Sequence, residues 1–177
     1  MGYEVQAQAI FRRLLPSIGL LFASKARNRR KEQAVAKEAV NIVIERTAGG
    51  IDITGRQFAP YSGQYAKKKR DLIKALKKFR GRNVRQDAGA YPAWLRATGQ
   101  MLSSLTADVT ADATVRGLTL NIKFRFASAE SARIASYHNE LGAGKSRVRR
   151  QFLGLSRDGT ARRRAEEERL YKAWKNG

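Results

Sequence analysis

The sequence predicts an α+β fold in which a small antiparallel β-sheet packs with one long α-helix and several shorter helices. Residues 118–126 alternate apolar and polar side chains with period two, which indicates a strand with one buried face. Residues 105–115 alternate in the same way and Arg116-Gly117 supplies a tight turn, so the two segments predict a hairpin. Residues 26–46 instead carry apolar side chains at helical spacing. The 177 residues, 42% hydrophobic, suffice for one core but not comfortably for two.

The N-terminal segment is predicted to be a helix or arm over residues 1–25. Val5, Ile10 and Leu14 follow helix-like spacing until Pro16 interrupts it. The apolar run at residues 14–23 is broken by proline and glycine and is shorter than the ~20 residues of a membrane span. We therefore expect it to bury its apolar side against protein.

The long helix at residues 26–46 is the strongest helical prediction, and Gly49-Gly50 ends it. Its first turns are basic, with Arg27, Arg29 and Lys31 where positive charge opposes the helix dipole. Either these cations serve a partner or the helix begins earlier. Two short extended segments are expected next, at 51–55 and 57–61.

Three further helices are predicted. Ser62 can cap a helix over residues 63–79, and a brief helix follows Thr98-Gly99-Gln100 after a loop at 81–92. Residues 128–141 have helical spacing and end before a glycine-rich loop. The boundaries are then an arm at 1–25, a single core domain at 26–157 and a charged C-terminal helix at 158–177.

The excess of positive charge indicates the kind of partner that the protein binds. Lys and Arg number 36 against 15 Asp and Glu, a formal net charge of +21 that would strain a lone compact monomer. A polyanion should compensate it: nucleic acid first, then a neighbouring acidic subunit or an anionic membrane surface. The chain has no cysteine, which excludes disulfides, thiolate zinc sites and thiol nucleophiles and fits synthesis in a reducing cytoplasm.

Catalytic chemistry is poorly represented. His138 is the only histidine, and a helix C-terminus is a place where it would simply satisfy carbonyl groups. Residues 142–146 end in Gly-Lys-Ser like a phosphate-binding loop, but Asn139 stands where that motif requires its first glycine. We predict no enzyme activity, no cofactor and no metal site.

A lysine-rich stretch is the stronger signal, although a solvated helix face is its simplest structural explanation. Asp71 is the only carboxylate within it, which favours a surface that faces DNA. Nothing indicates base reading, so contact with the phosphate backbone alone is expected. The DNA-facing candidates are Lys67, Lys68, Lys69, Arg70, Lys74, Lys77, Lys78 and Arg80. Further cations lie at Lys145, Arg147, Arg149, Arg150, Arg162, Arg163 and Arg164.

Four segments, in this order, resemble the phage virion morphogenesis family of tail-completion and head-tail joining (neck) proteins. They are Thr54-Gly55-Arg56-Gln57-Phe58-Ala59-Pro60-Tyr61-Ser62 with Tyr65 and Lys67-Lys68-Lys69, Leu95-Arg96-Ala97-Thr98-Gly99-Gln100-Met101-Leu102-Ser103-Ser104-Leu105, Tyr137-His138-Asn139, and Arg149-Arg150-Gln151-Phe152-Leu153-Gly154-Leu155-Ser156. The resemblance spans about residues 30–158. Gln151 departs from it, because such proteins tend to have proline there.

The resemblance implies a ring-forming homo-oligomer, expected to be a hexamer, at the virion neck after assembly in the host cytoplasm. Its implied partners are the head-tail connector, tail terminator or tube proteins, and the genomic DNA that passes through the ring. Apolar side chains near the C-terminus could dock on the core or on a neighbouring subunit. The subunit-contact candidates are Phe152, Leu153, Leu155, Trp94 and Trp174.

Two alternatives come from other classes of protein. One is a free-standing DNA-binding or packaging protein without sequence preference. The other is a metal-dependent nuclease, although no metal-ligand motif is recognisable. Its candidate carboxylates are Asp52, Asp71, Asp108 and Glu140.

Overall fold

The central strand follows from the period-two pattern. A computed structural model describes residues 3–13, 25–59, 63–64, 66–68, 70–71, 100–114, 117–142, 147–157 and 159–177. Strand β3 (Gly117–Phe126) lies between β1 (Tyr3–Arg13) and β2 (Leu105–Thr114) in an antiparallel sheet of order β1-β3-β2. The apolar residues of β3 are at most 1% exposed, whereas Lys123 between them is exposed. The predicted α+β class and hairpin are confirmed, although Gly117 pairs with Thr114 and belongs to the strand, not to the turn.

The N-terminal prediction was wrong over the described residues. Tyr3–Arg13 is a strand, not a helix, and it pairs with β3 from Tyr3 opposite Phe126 to Arg13 opposite Leu118. A short apolar segment cannot be assigned from spacing alone, and an available strand edge satisfies its backbone groups. Residues 3–13 therefore extend the sheet as a third strand.

Helix α1 (Lys25–Ala48) confirms the long predicted helix. Val35, Ala39, Ile42 and Val43 are at most 2% exposed and recur at helical spacing, so one side of α1 enters the core. The Glu32 carboxylate accepts a hydrogen bond of 3.2 Å from the backbone N–H of Ala111 in strand β2. Helix α1 thus packs against β2, and its Glu32 side chain accepts a hydrogen bond from a backbone N–H of that strand.

Three shorter helices complete the described part of the fold. They are α2 (Gln100–Ser103), α3 (Ala129–Ser136), which continues into a π-helical turn (Tyr137–Leu141), and α4 (Ala161–Asn176). Ser128 caps α3, since its side chain accepts from the backbone N–H of Ser131. The helix predicted at 63–79 is seen only in part, because residues 72–79 and the expected loop at 81–92 lie outside the described residues.

The charged C-terminal helix predicted at 158–177 is observed as α4, and it packs into the core of the chain. Leu170 and Trp174, one helical turn apart, are 0% and 2% exposed in the same core as α1. The Lys31 ammonium lies 5.3 Å from the centre of the Trp174 ring, a cation–π distance. Trp174 is therefore a core residue, and the prediction that it contacts another subunit was wrong.

Residues 51–57 form a tight turn instead of two full extended segments. Ile51 and Gln57 make an isolated antiparallel bridge, and Gly55 has a φ of 84°. The Asp52 carboxylate accepts from the Thr54 N–H and hydroxyl and from the Arg56 N–H at 2.7–3.0 Å. Such local side-chain hydrogen bonds stabilise a turn in place of a strand.

Candidate nucleic-acid-facing surface

The segment Phe152–Leu155 is buried inside its own chain. Phe152, Leu153 and Leu155 are 0%, 3% and 5% exposed. They cannot serve as a surface for a neighbouring subunit in this fold, so the prediction of subunit contacts at these residues was wrong. The alternative that they dock on the core is confirmed.

Arg46 of α1 holds this irregular segment in place. Its guanidinium donates to the carbonyls of Phe152 and Gly154 at 2.7 and 2.6 Å, and to the Glu166 carboxylate at 2.9 Å. Glu166 of α4 also accepts from the N–H and hydroxyl of Ser156 at 2.6 and 2.7 Å. We call Arg46, Ser156 and Glu166 the buried arginine network, because it links α1, the 152–156 segment and α4.

Burial governs the electrostatics of this network. The side chains of Arg46 and Glu166 are 3% and 6% exposed. Loss of solvation lowers the pKa of Arg46 from its ordinary value, and the attraction of Glu166 opposes that shift. An uncompensated buried guanidinium would be very costly, so the partners of Arg46 are required by its position.

The π-helical turn also forms hydrogen bonds with the 152–156 segment. The side-chain oxygen of Asn139 accepts from the backbone N–H groups of Phe152 and Leu153 at 3.1 and 3.2 Å. The Arg150 N–H donates to the His138 carbonyl at 2.6 Å, and the Arg150 guanidinium donates to the Ala59 carbonyl. Arg150 is only 4% exposed, so this cation is structural and was wrongly counted with the partner-facing ones.

Arg163 is a second cation that burial removes from the surface. It is 9% exposed, and its guanidinium binds the Glu167 carboxylate at 2.6 Å and the Ser156 carbonyl at 3.3 Å. Sequence position alone could not separate Arg163 from Arg164, which is exposed one residue later.

Several arginines close in sequence to the buried Arg150 and Arg163 are exposed. Backbone hydrogen bonds of 2.9 Å from Ile53 to Gln151 and from Arg157 to Ile53 join the 51–57 turn to the 151–157 segment. Exposed arginines lie in the 51–57 turn, in residues 147–157 and in the first turn of α4. We call this set the basic loop surface: Arg56, Arg147, Arg149, Arg157 and Arg164.

No carboxylate of the described residues forms an ion pair with the basic loop surface. Other arginines pair with the nearby carboxylates. Arg169 of α4 binds Glu38 and Glu45 of α1 at 2.6 and 2.7 Å. Arg125 of β3 binds Asp108 of β2 at 2.8 Å. The exposed loops therefore keep their positive charge.

A cleft of about 250 Å³ lies between α1 and α4. Ile42, Ile51 and Ala165 contribute apolar walls, and the charged lining residues are Arg46, Arg162, Arg169, Glu45 and Glu166. The terminal Nη1 of Arg162 is buried and has no hydrogen-bond partner, and its charge further lowers the pKa of Arg46. The charged lining of the cleft is thus three arginines against two glutamates.

The predicted lysine-rich surface is described only in part. Lys67, Lys68 and Arg70 are exposed, while Ala66 beside them is 7% exposed and faces inward. Sequence reasoning did not select Arg56 or Arg157, whose only signal was their position beside Gly55 and Ser156 in loops. The remaining candidates lie outside the described residues: Lys69, Lys74, Lys77, Lys78, Arg80 and Trp94.

The described carboxylates offer no metal centre. Across the described ranges, no group of three or more His, Asp or Glu side chains is placed to hold an ion. Asp52 is engaged in its turn, Asp108 pairs with Arg125, and Glu140 accepts from the Ser136 hydroxyl at 3.3 Å. None of the helices in the described part of the chain has the length and apolarity needed to cross a membrane.

Comparison with known proteins returns no match, whether to a protein-family model, to a curated protein or to a solved structure.

Proposed function

We propose that the protein is a non-enzymatic structural component of a tailed-phage virion, a tail-completion or neck protein that forms a ring around the DNA. In this proposal the ring joins the tail to the head connector, and its cations face the passing phosphate backbone. The basic loop surface is the observation that carries the proposal. Exposed arginines that pair with no carboxylate of the described residues suit contact with phosphates that is independent of base sequence.

The contacts between the resembling segments give further support. The Arg150 guanidinium of the 149–156 segment donates to the Ala59 carbonyl of the first segment, and the Asn139 side chain accepts from the backbone N–H groups of Phe152 and Leu153. The first and third of the four segments that resemble the neck-protein family are therefore each hydrogen-bonded to the fourth. A shared structural purpose explains why these short motifs occur together.

A salt titration of DNA binding tests the electrostatic part. We expect the double variant R56A/R157A to bind DNA more weakly, with a salt dependence lowered by about 0.9 per lost phosphate contact. The matched control K172A/K175A removes the same charge from exposed positions near the end of α4. Equal losses in both variants would show that only total charge matters and would contradict the assignment of this surface.

Electron microscopy separates the proposed ring from the second candidate, a free-standing DNA-binding protein. A fixed ring at the neck of virions is expected. Monomers that coat DNA without forming a ring would favour the second candidate. Magnesium-dependent DNA cleavage that disappears in D52N or D108N would instead restore the nuclease alternative.

A further inference from the structure

The exposed large apolar side chains of the described residues all lie in one short segment. Ile134, Tyr137 and Leu141 are 38%, 48% and 57% exposed. Their spacing of three and four residues along α3 and the π-helical turn places them on one side of the helix. We call these three residues the outer stripe. Single exposed apolar residues are ordinary, but a contiguous set marks an interaction site.

The outer stripe is held rigidly from behind. Ser131, Ala132 and Ala135 on the opposite side of α3 are at most 8% exposed. The His138 carbonyl and Asn139 side chain bind the 150–153 segment. A preorganised surface loses little conformational entropy when a partner binds.

The end of the stripe is fixed as well. Gly142 has a φ of 84°, and a side chain at this position would collide with the Arg147 carbonyl. Only glycine lets the chain turn here at such close approach. The exposure of Leu141 just before it is thus built into the fold.

Two glutamates close to the stripe in the sequence are available to a partner. Glu130 and Glu140 are exposed and form no ion pair with any cation in the described part of the chain. Arg133 lies between them in the sequence, and Arg147 meets Gly142 at the end of the stripe, but neither arginine forms an ion pair with these two carboxylates. In a chain of net charge +21, two such carboxylates can bind cations of another basic molecule.

We propose that the outer stripe is the surface on which a second copy of this chain docks, with cations of that copy facing Glu130 and Glu140. The inference deepens the proposed function, because it rests on the formation of a ring. A two-fold contact would oppose these glutamates to the same glutamates of the second copy. A head-to-tail contact brings them against a different, cationic surface, and contacts of this kind form a ring when the rotation between copies closes.

Sedimentation velocity of the full chain over a wide concentration range tests the proposal. We expect Y137S/L141S to weaken self-association about tenfold or more, because truncating central apolar anchors carries most of the cost at an interface. Thermal unfolding should be unchanged, since both side chains are exposed. The control K172S/K175S changes exposed side chains on α4 and should associate like the parent, and E140K should weaken association.

The absence of cysteine from the chain permits a second readout. An environment-sensitive fluorophore on L141C should shift to the blue as the concentration rises, whereas the same label on K172C should not. The two measurements together distinguish burial of the stripe from association elsewhere.

Each outcome decides the inference. Parent-like association of Y137S/L141S would overturn the outer stripe as the contact while leaving the proposed neck function standing. A wild-type chain that stays monomeric at every concentration would overturn the second copy as occupant. The salt titration of R56A/R157A does not depend on association and tests the DNA-facing surface separately.

Discussion

The buried arginine network and the basic loop surface meet in the sequence at Ser156 and Arg157. Both depend on arginine, but in the network its guanidinium is buried and in the loop surface it is exposed. Arg46 is 6% exposed and donates to two carbonyls and a carboxylate, whereas Arg157, which directly follows Ser156 of that network, is exposed and pairs with no carboxylate of the described residues. The first kind of arginine orders an irregular segment, and the second stays available to a polyanion. An excess of arginine therefore indicates a polyanionic partner only when the buried, structural arginines are not counted.

The largest expected effect follows removal of the buried counter-charge. Glu166→Gln leaves Arg46 without a full negative partner, and breaking one side of a buried ion pair costs about 3–5 kcal/mol. Denaturant unfolding would measure the loss. Glu167→Gln is the matched control one residue later, because its pair with Arg163 is partly exposed and worth about 0.3–0.5 kcal/mol. Similar losses for both would contradict the central role of the buried arginine network.

The second effect concerns the support from the π-helical turn. Asn139→Ala removes the acceptor for two backbone N–H groups, and unsatisfied buried donors cost about 1–3 kcal/mol. Hydrogen exchange at Phe152 and Leu153 should accelerate together with the fall in stability. Asn139→Asp keeps an oxygen acceptor and should lose much less; an equal loss would mean that the hydrogen bonds are not the cause.

A smaller effect is expected where α4 meets α1 at the surface. Hydrogen bonding to Arg169 lowers the pKa of Glu45, so its contribution to stability is present above the ordinary glutamate pKa and is lost as the pH falls through the lowered value. Arg169→Gln should cost below about 1 kcal/mol near neutral pH. Unfolding curves of both proteins should converge in acid or high salt. A gap that persists in acid would show that packing, not charge, is responsible.

The smallest effect on stability belongs to the basic loop surface itself. Arg157→Ala should stay within about 0.5 kcal/mol of the parent, because its exposed side chain has no carboxylate partner among the described residues. Thermal unfolding checks the stability, and DNA binding at low salt should still fall. A destabilisation as large as that of Asn139→Ala would place Arg157 with the structural arginines and break the comparison.

Local patterns predicted what local patterns control. The hairpin at β2 and β3, helix α1 and the α3 segment were readable because each repeats with its own period over many residues. Strand β1 was missed because its pairing with β3 depends on residues more than a hundred positions away. The π-helical turn was missed as well, since it depends on contacts with the 150–153 segment and on Gly142.

The sequence by itself determined the α+β class, the excess of positive charge and the thin inventory of catalytic groups, because composition and short-range periodicity carry that information. Only the tertiary structure decided which charges and which apolar side chains are available. It buried Phe152, Leu155 and Trp174, which the sequence suggested for subunit contacts, and it exposed Ile134, Tyr137 and Leu141. The physical reason is that burial is set by long-range packing: an arginine or a leucine has the same local signal whether its neighbours in space are core or solvent.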